Sequence, residues 1–410
     1  MRIRMLWLGL LLLQGCESAT GVDPTVEPPL LQQLPRTLSS DELTAIRANN
    51  TFAFNLLGRV VATNATENVF ISPLSVSLAL GMVMDGARGS TREAMASTLG
   101  FGTLPPAAIN AGYRDLIRLL VSLDAQIQLT IANSIWAEQT FPIAPAFLSN
   151  ARTYFDAEAD VLDFRSPAAV ATINDWVNRK TAGKIPTILD GITPDEVLFA
   201  VNAIHFKGTW RRQFRPAETR TGTFHAEDGR QQQVPFMHRE ARGPYYAGSD
   251  FHAVDLWYGS GAYSMTVVVP TGTTSANDLV GRLTADEFTT IASGLRETDV
   301  VLAMPKLRLE DTYSLEAVLS QLGMGIAFSR QADLSGISQA DPLRLTRVDH
   351  KTFVDINEEG TEAAAVTSVG VGVTSAPARV TVTVDRPYLV VIRERLSGTV
   401  LFVGRILSIP

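Results

Sequence analysis

The sequence predicts an α+β fold, and three observations carry that expectation. Helical patterning dominates the first half of the chain, strand patterning dominates the second, and the two do not alternate as a βαβ sheet requires. No internal repeat breaks the segregation. The 410 residues, 46% apolar and 19% charged, provide for a large core and exclude a disordered chain or a multi-span membrane protein. A net charge of -7 argues against nucleic acid as the main partner.

The first 15 residues read as a signal peptide. Met1-Arg2-Ile3-Arg4 is a short basic start, and the apolar run from Met5 to Leu13 is too short to span a bilayer. Leu13-Gln14-Gly15-Cys16 then places a small residue before the chain's single cysteine, an arrangement that resembles a bacterial lipoprotein signal. On that reading the mature chain begins at a lipidated Cys16 and acyl chains hold it to a membrane of the cell envelope. The alternative is a general secretory signal with an incidental cysteine, giving a periplasmic or extracellular protein. Either way the protein is exported. One cysteine also excludes an internal disulfide framework and a Cys-rich zinc site.

Residues 16–38 carry Pro24, Pro28, Pro29 and Pro35 with few aromatic residues, which reads as an extended tether. Ser39-x-x-Glu42 is a capping box, and the spacing of Leu43, Ile46, Ala53, Phe54 and Leu57 predicts an amphipathic helix behind it. Ser72 followed by Pro73 marks a second helix start. Leu74 to Met84 is apolar nearly all round, so that helix belongs in the middle of the protein. Ser90-x-x-Glu93 signals a further short helix. Strand-like runs follow at 129–136, 198–206, 263–269, 300–304, 380–384, 389–392 and 400–406. No domain boundary is visible within 39–410, which is taken as one domain.

Nothing recommends catalysis. The five histidines, His205, His225, His238, His252 and His350, form no close ligand pair. His205, inside an apolar run, reads as a structural group. Gly259-Ser260-Gly261 does not fit a nucleophile elbow, and Gly370-Val371-Gly372 lacks the third glycine and the helix of a dinucleotide loop.

One stretch stands out, Glu358-Glu359-Gly360-Thr361-Glu362-Ala363-Ala364-Ala365 and on to Thr374-Ser375. Its odd positions, Thr361, Ala363, Ala365, Thr367, Val369, Val371 and Val373, are small or β-branched, as one buried face of a strand requires. Its alanines, glycines and serines hold it weakly wherever it sits. A segment able to enter a sheet yet poorly anchored suits a conformational switch; the plainer reading is a Gly/Ala-rich connection.

Several motifs, in order, resemble the serpin family. They are Asn68-Val69-Phe70-Ile71-Ser72-Pro73-Leu74-Ser75 into Gly86-Ala87-Arg88-Gly89-Ser90-Thr91, then Ile173-Asn174-Asp175-Trp176-Val177 with Thr181-Ala182-Gly183-Lys184-Ile185, and Val201-Asn202-Ala203-Ile204-His205-Phe206-Lys207-Gly208-Thr209-Trp210. Met304-Pro305-Lys306, Ala332-Asp333-Leu334-Ser335-Gly336-Ile337, His350-Lys351, Arg386-Pro387-Tyr388-Leu389 and Leu401-Phe402-Val403-Gly404-Arg405 complete the set. The similarity covers roughly residues 40–410.

The resemblance implies three β-sheets, eight or nine helices and an exposed reactive loop at about 358–384, in a monomer that needs no cofactor and is not an enzyme. It makes Glu358 to Ala365 the hinge of that loop. It assigns Ser72, Ser75, Asn174, Asn202 and His350 to a polar latch where the main sheet opens, with Trp210 where insertion begins. It also implies a suicide-substrate mechanism: a serine or cysteine protease attacks the loop, and the cleaved loop enters the sheet and traps the acyl-enzyme. About 14 inserted residues would span some 45 Å. Counting from Gly360 places the attacked bond at Thr374-Ser375; counting back from Pro387 gives Ala376-Pro377. Val373-Thr374 suits an elastase-like or subtilisin-like protease, and Arg379 lies too far along to favour trapping. A non-inhibitory serpin acting as a binding or carrier protein is the alternative.

Overall fold

The computed structural model describes residues 29–340, 342–362 and 379–410. Cys16, Ala363, Ala364, Ala365, Thr374 and Ser375 lie outside the described residues, as does most of the expected reactive loop.

Nine α-helices occur among the described residues: α1 (Ser40–Thr63), α2 (Pro73–Gly86), α3 (Gly89–Thr98), α4 (Pro106–Ser122), α5 (Pro145–Phe155), α6 (Pro167–Lys180), α7 (Ala276–Arg282), α8 (Ala285–Gly294) and α9 (Glu316–Leu319). The strands are β1 (Val69–Ile71), β2 (Ile127–Glu138), β3 (Glu158–Leu162), β4 (Leu198–Thr209), β5 (Arg220–His225), β6 (Gln231–Ala247), β7 (Phe251–Tyr258) and β8 (Tyr263–Pro270). They continue as β9 (Arg296–Pro305), β10 (Leu307–Ser314), β11 (Asp349–Ile356), β12 (Gly360–Thr361), β13 (Val380–Thr383), β14 (Tyr388–Glu394) and β15 (Val400–Ile406).

The helix starts follow local chemistry. At α1 the Glu42 N–H donates to Ser39 Oγ (3.2 Å) and the Ser39 N–H to Glu42 Oε2 (2.8 Å), the reciprocal box that satisfies two orphan donors. Arg36 forks onto the same carboxylate at 2.7 and 2.6 Å, which fixes the chain entering the body. Further back, the Leu31 N–H donates to Ser260 O (2.8 Å) and Arg395 Nη2 to Leu31 O (2.7 Å). The end of the segment read as a tether is therefore seated on the body. In α2, Pro73 stands in the first turn behind Ser72, and 12 of the 14 residues are buried, as an all-round apolar helix requires. The α3 start departs from expectation. That helix begins at Gly89 with Arg88 at the cap and no side-chain cap bond, so Ser90 falls inside the first turn. Gly89, at φ 47°, turns the chain one residue earlier than a Ser90 cap would.

The strands form two hydrogen-bonded sheets. One has nine strands, ordered β1-β15-β14-β8-β7-β6-β9-β13 with β5 on β6; the other has six, ordered β10-β11-β12-β4-β2-β3. The 17-residue β6 pairs with β5, β7 and β9, and so joins into one ladder what the resemblance implies as two sheets. Helix α2 lies at the centre, against both β4 and β15. Helix α6 covers the outer face of the six-stranded sheet over a second, smaller apolar cluster, where Trp176 meets Trp136 edge-on at 6.2 Å. No helix among the described residues is long and apolar enough to cross a membrane.

Candidate functional site

The six-stranded sheet contains a seam. Strands β4 and β11 run parallel to each other, and β12, two residues long, is all that lies between them. Thr361 pairs with Ile356 of β11 and with Gly208 of β4, and Gly360 pairs with Thr209. Beyond that short bridge no ladder joins β4 to β11 among the described residues. A cavity of about 290 Å³ opens there, lined by Asn202 and Ile204 of β4, Val348 and His350, and Ser75 and Leu80 of α2.

Sequence explains why these residues hold the bridge in place. Asn357 Oδ1 accepts from the Glu359 N–H (3.0 Å) and the Gly360 N–H (3.3 Å), a side-chain turn that Asn favours. Trp210 donates its backbone N–H to Glu359 O (2.7 Å) and its indole N–H to Asn357 O (2.9 Å). Its ring stacks on Tyr258 at 4.3 Å, and Tyr258 in turn shares a 2.7 Å hydroxyl bond with Thr361. Only glycine fits at 360: a Cβ there would overlap the Gly208 carbonyl oxygen and lie 2.8 Å from the Thr209 Cα. Thr361 is buried on the core side, the face that parity assigned to the odd positions.

The hinge carboxylates differ in their surroundings. Glu358 accepts from Thr219 Oγ1 (2.6 Å) and Lys306 Nζ (2.8 Å). Burial raises its pKa, but those two bonds outweigh burial and hold the carboxyl below its usual range. Glu359 is pushed up by burial and by the Glu358 charge, and its Oε2 is buried without a partner among the described residues. Glu362 leaves the sheet with φ 59°, a left-handed conformation that costs a non-glycine residue roughly 1–3 kcal/mol. Its N–H donates to Asp355 O (2.9 Å), and its carboxylate accepts from His205 Nε2 (2.7 Å) with Lys184 Nζ at 3.7 Å.

Of the expected latch, Ser72, Ser75 and His350 come together. The Ser72 N–H donates to His350 Nε2 (2.9 Å), Ser72 Oγ to Leu401 O (2.8 Å), and the Ser75 N–H to Ser72 Oγ (3.3 Å). Burial pushes the His350 imidazole down to about 4, so the ring is neutral near pH 7 and free to accept at Nε2. Asn202 lines the same cavity; its Nδ2 donates to Asn133 Oδ1 (2.8 Å), and its own Oδ1 is buried with no partner among the described residues. Asn174 is placed elsewhere. On α6 it donates to Leu189 O (2.8 Å) and accepts from the Ile188 and Leu189 N–H groups (2.8 and 2.9 Å), pinning the segment that follows the helix. With three of its four hydrogen-bonding positions engaged by that segment, the amide is committed there and makes no bond to Ser72 or His350 among the described residues.

Among the contributors that escaped sequence reasoning are His205, Lys184, Tyr258 and Asn357. For Asn357 a signal existed, since Asn before Glu-Glu-Gly is turn chemistry. For the other three, only the fold brings them to the hinge.

A family model described as Serpin (serine protease inhibitor) matches residues 47–409. The leukocyte elastase inhibitor of Xenopus laevis is 35% identical over 373 residues, covering 86% of this chain and 96% of that protein. The native-state crystal structure of the thermophilic serpin tengpin superposes with a TM-score of 0.83 at 29% identity, over 94% of this chain and 98% of that one. Human thyroxine-binding globulin in complex with its ligand superposes at 0.82 with 28% identity, over 90% and 99%.

Proposed function

The chain belongs to the serpin family, and on that premise we propose that it is a suicide-substrate inhibitor of serine proteases. The observation that carries this reading is the seam: a strand already begun at Gly360–Thr361, with a path ahead of it that is unpaired among the described residues.

The pairing at Thr361 fixes the register of any continuation. A strand extended from it would place Ala363 between Phe206 and Val354, Ala365 between Ile204 and Thr352, and Thr367 between Asn202 and His350. Small residues thus meet the bulky core positions, and the one further threonine on that face before the scissile region meets the polar pair. Strand β4, from Leu198 to Thr209, offers partners for residues 360–371. Each added residue brings ladder bonds worth about 1 kcal/mol, so roughly ten residues give on the order of 10 kcal/mol. The uncleaved chain is then held by a barrier short of its most stable form.

Cleavage at Thr374-Ser375 leaves the full inserting length attached to the acyl-enzyme. The small side chains of Val373 and Thr374 suit an elastase-like or subtilisin-like protease, and the relative named for elastase inhibition is in keeping with that choice. A lipidated Cys16 would hold this trap at the surface of an exported cell-envelope compartment. The likeness to thyroxine-binding globulin favours a second reading, a non-inhibitory carrier.

Purified protein mixed with elastase-like and subtilisin-like proteases is expected to give an SDS-resistant complex, and mass spectrometry a released fragment beginning at Ser375. A fragment beginning at Val380 would refute the assigned bond. Turnover without complex, and no gain in melting temperature after loop cleavage, would leave the carrier reading.

A further inference from the structure

Among the described residues His205 has a single hydrogen-bond partner. Its Nε2 is bonded to Glu362 Oε2 at 2.7 Å, while its Nδ1 is buried with no partner among the described residues. Both side chains are 3% exposed. Lys184 closes the site from the segment after α6, with Nζ 3.7 Å from the carboxylate and 4.8 Å from the centre of the Phe353 ring. The bond holds Glu362 in its left-handed turn, the point at which the chain abandons the sheet.

The register shows what lengthening β12 would do to this contact. Glu362 must give up φ 59° for an extended conformation, and it then lies opposite Lys207 and Asp355. Ala364, not Glu362, then comes opposite His205. The methyl group offers the imidazole nothing, so a ring with one orphan nitrogen becomes a buried ring with two. Lys207 is only partly buried and offers Glu362 a weaker replacement.

We propose that His205 is a brake on loop entry, holding Glu362 in a conformation that must be undone before the strand can lengthen. The bond exists only before insertion, so it stabilises the starting state selectively and raises the barrier to spontaneous entry of an uncleaved loop. This inference rests on the insertion mechanism proposed above.

The test is the rate at which the uncleaved protein, incubated below its melting temperature, loses susceptibility to proteolysis in the loop. His205→Phe keeps an aromatic ring in the sheet and removes both orphan nitrogens; Glu362→Ala removes the carboxylate. Each is expected to speed conversion about tenfold, the equivalent of about 1.4 kcal/mol. The double variant should be no faster than the faster single one, because both remove the same bond. Single variants converting at the parental rate, or a double variant equal to the product of the two, would overturn the brake. Should His205→Phe fail to fold, Glu362→Ala, placed where the chain leaves the sheet, decides alone on its rate. The insertion mechanism is judged separately. A cleaved parent that gains no thermal stability refutes that mechanism, and a parent that gains stability while the variants convert at its own rate refutes only the brake.

Discussion

Replacing Gly360 by alanine probes the seam at its narrowest point. The added Cβ would meet the Gly208 carbonyl and the Thr209 Cα, both backbone atoms of β4 that no rotamer change can move aside. The cheaper response is for β12 to leave the sheet. That forfeits four hydrogen bonds: Asn357 N–H to Gly360 O (3.0 Å), the Thr361–Tyr258 hydroxyl pair (2.7 Å), Glu362 N–H to Asp355 O (2.9 Å), and His205 to Glu362 (2.7 Å). At about 1 kcal/mol each the loss is roughly 4 kcal/mol. Two readouts follow. The denaturant midpoint of the uncleaved protein should fall, and hydrogen exchange at residues 360–362 should rise to the rate of open chain while α2 stays protected. A Gly360→Ala protein within about 1 kcal/mol of the parent, with its hinge amides still protected, would show that β12 does not occupy the seam.

Two further outcomes are expected. Burial pushes the His350 pKa down to about 4 from the 6.5 ordinary for an imidazole, so between those values the unfolded chain binds the proton that the folded chain refuses. Stability therefore falls as pH drops from about 6.5 towards 4, by at most about 3 kcal/mol, and a His350→Gln variant should show a flatter profile in melting experiments at pH 7 and pH 4.5. In a bacterial host, Cys16→Ser should abolish incorporation of labelled palmitate and release the protein from the membrane fraction; unchanged labelling would refute Cys16 as the acylated residue.

The helical half was legible because its signals are local. The Ser39 box, the Ser72-Pro73 start and the apolar run of α2 need no distant partner to be recognised. The strands were legible where they are buried on both faces, as β8, β14 and β15 are. Strands β10 and β11 were not, since Asp311 of β10 stands on the inward face of Leu307, Leu309 and Tyr313, and β11 puts His350 and Thr352 at its buried positions. A polar side chain in a buried slot erases the alternation that marks a strand. The hinge was legible by composition and parity, but its anchorage was not. Nothing in the run Val201 to Phe206 tells a histidine that fills the core from one that meets a glutamate 157 positions away. Asn174 shows the converse, for a motif position recognised by resemblance proved to serve its own helix and the turn after it.

The buried polar atoms along β4 are arranged in an order that matters for a trap. On the insertion proposed above, a strand growing from Thr361 passes Lys207 and Phe206 and then reaches His205, where the bond to Glu362 must be broken and an imidazole left without partners. Only three residues later would it reach Asn202, whose Oδ1 has no partner among the described residues and would gain the hydroxyl of Thr367. The cost thus precedes the compensation along a single strand. The same groups in reverse order would draw the loop in unaided. With the present order, the first residues of an uncleaved loop meet resistance before any reward, and a loop tethered at both ends cannot readily reach the reward. On the proposed mechanism, cleavage would free one end, and the chain could then cross the short unfavourable stretch to the long favourable one. On the proposed mechanism metastability has an address: it lies between Glu362 and Thr367, opposite the six residues from Lys207 to Asn202.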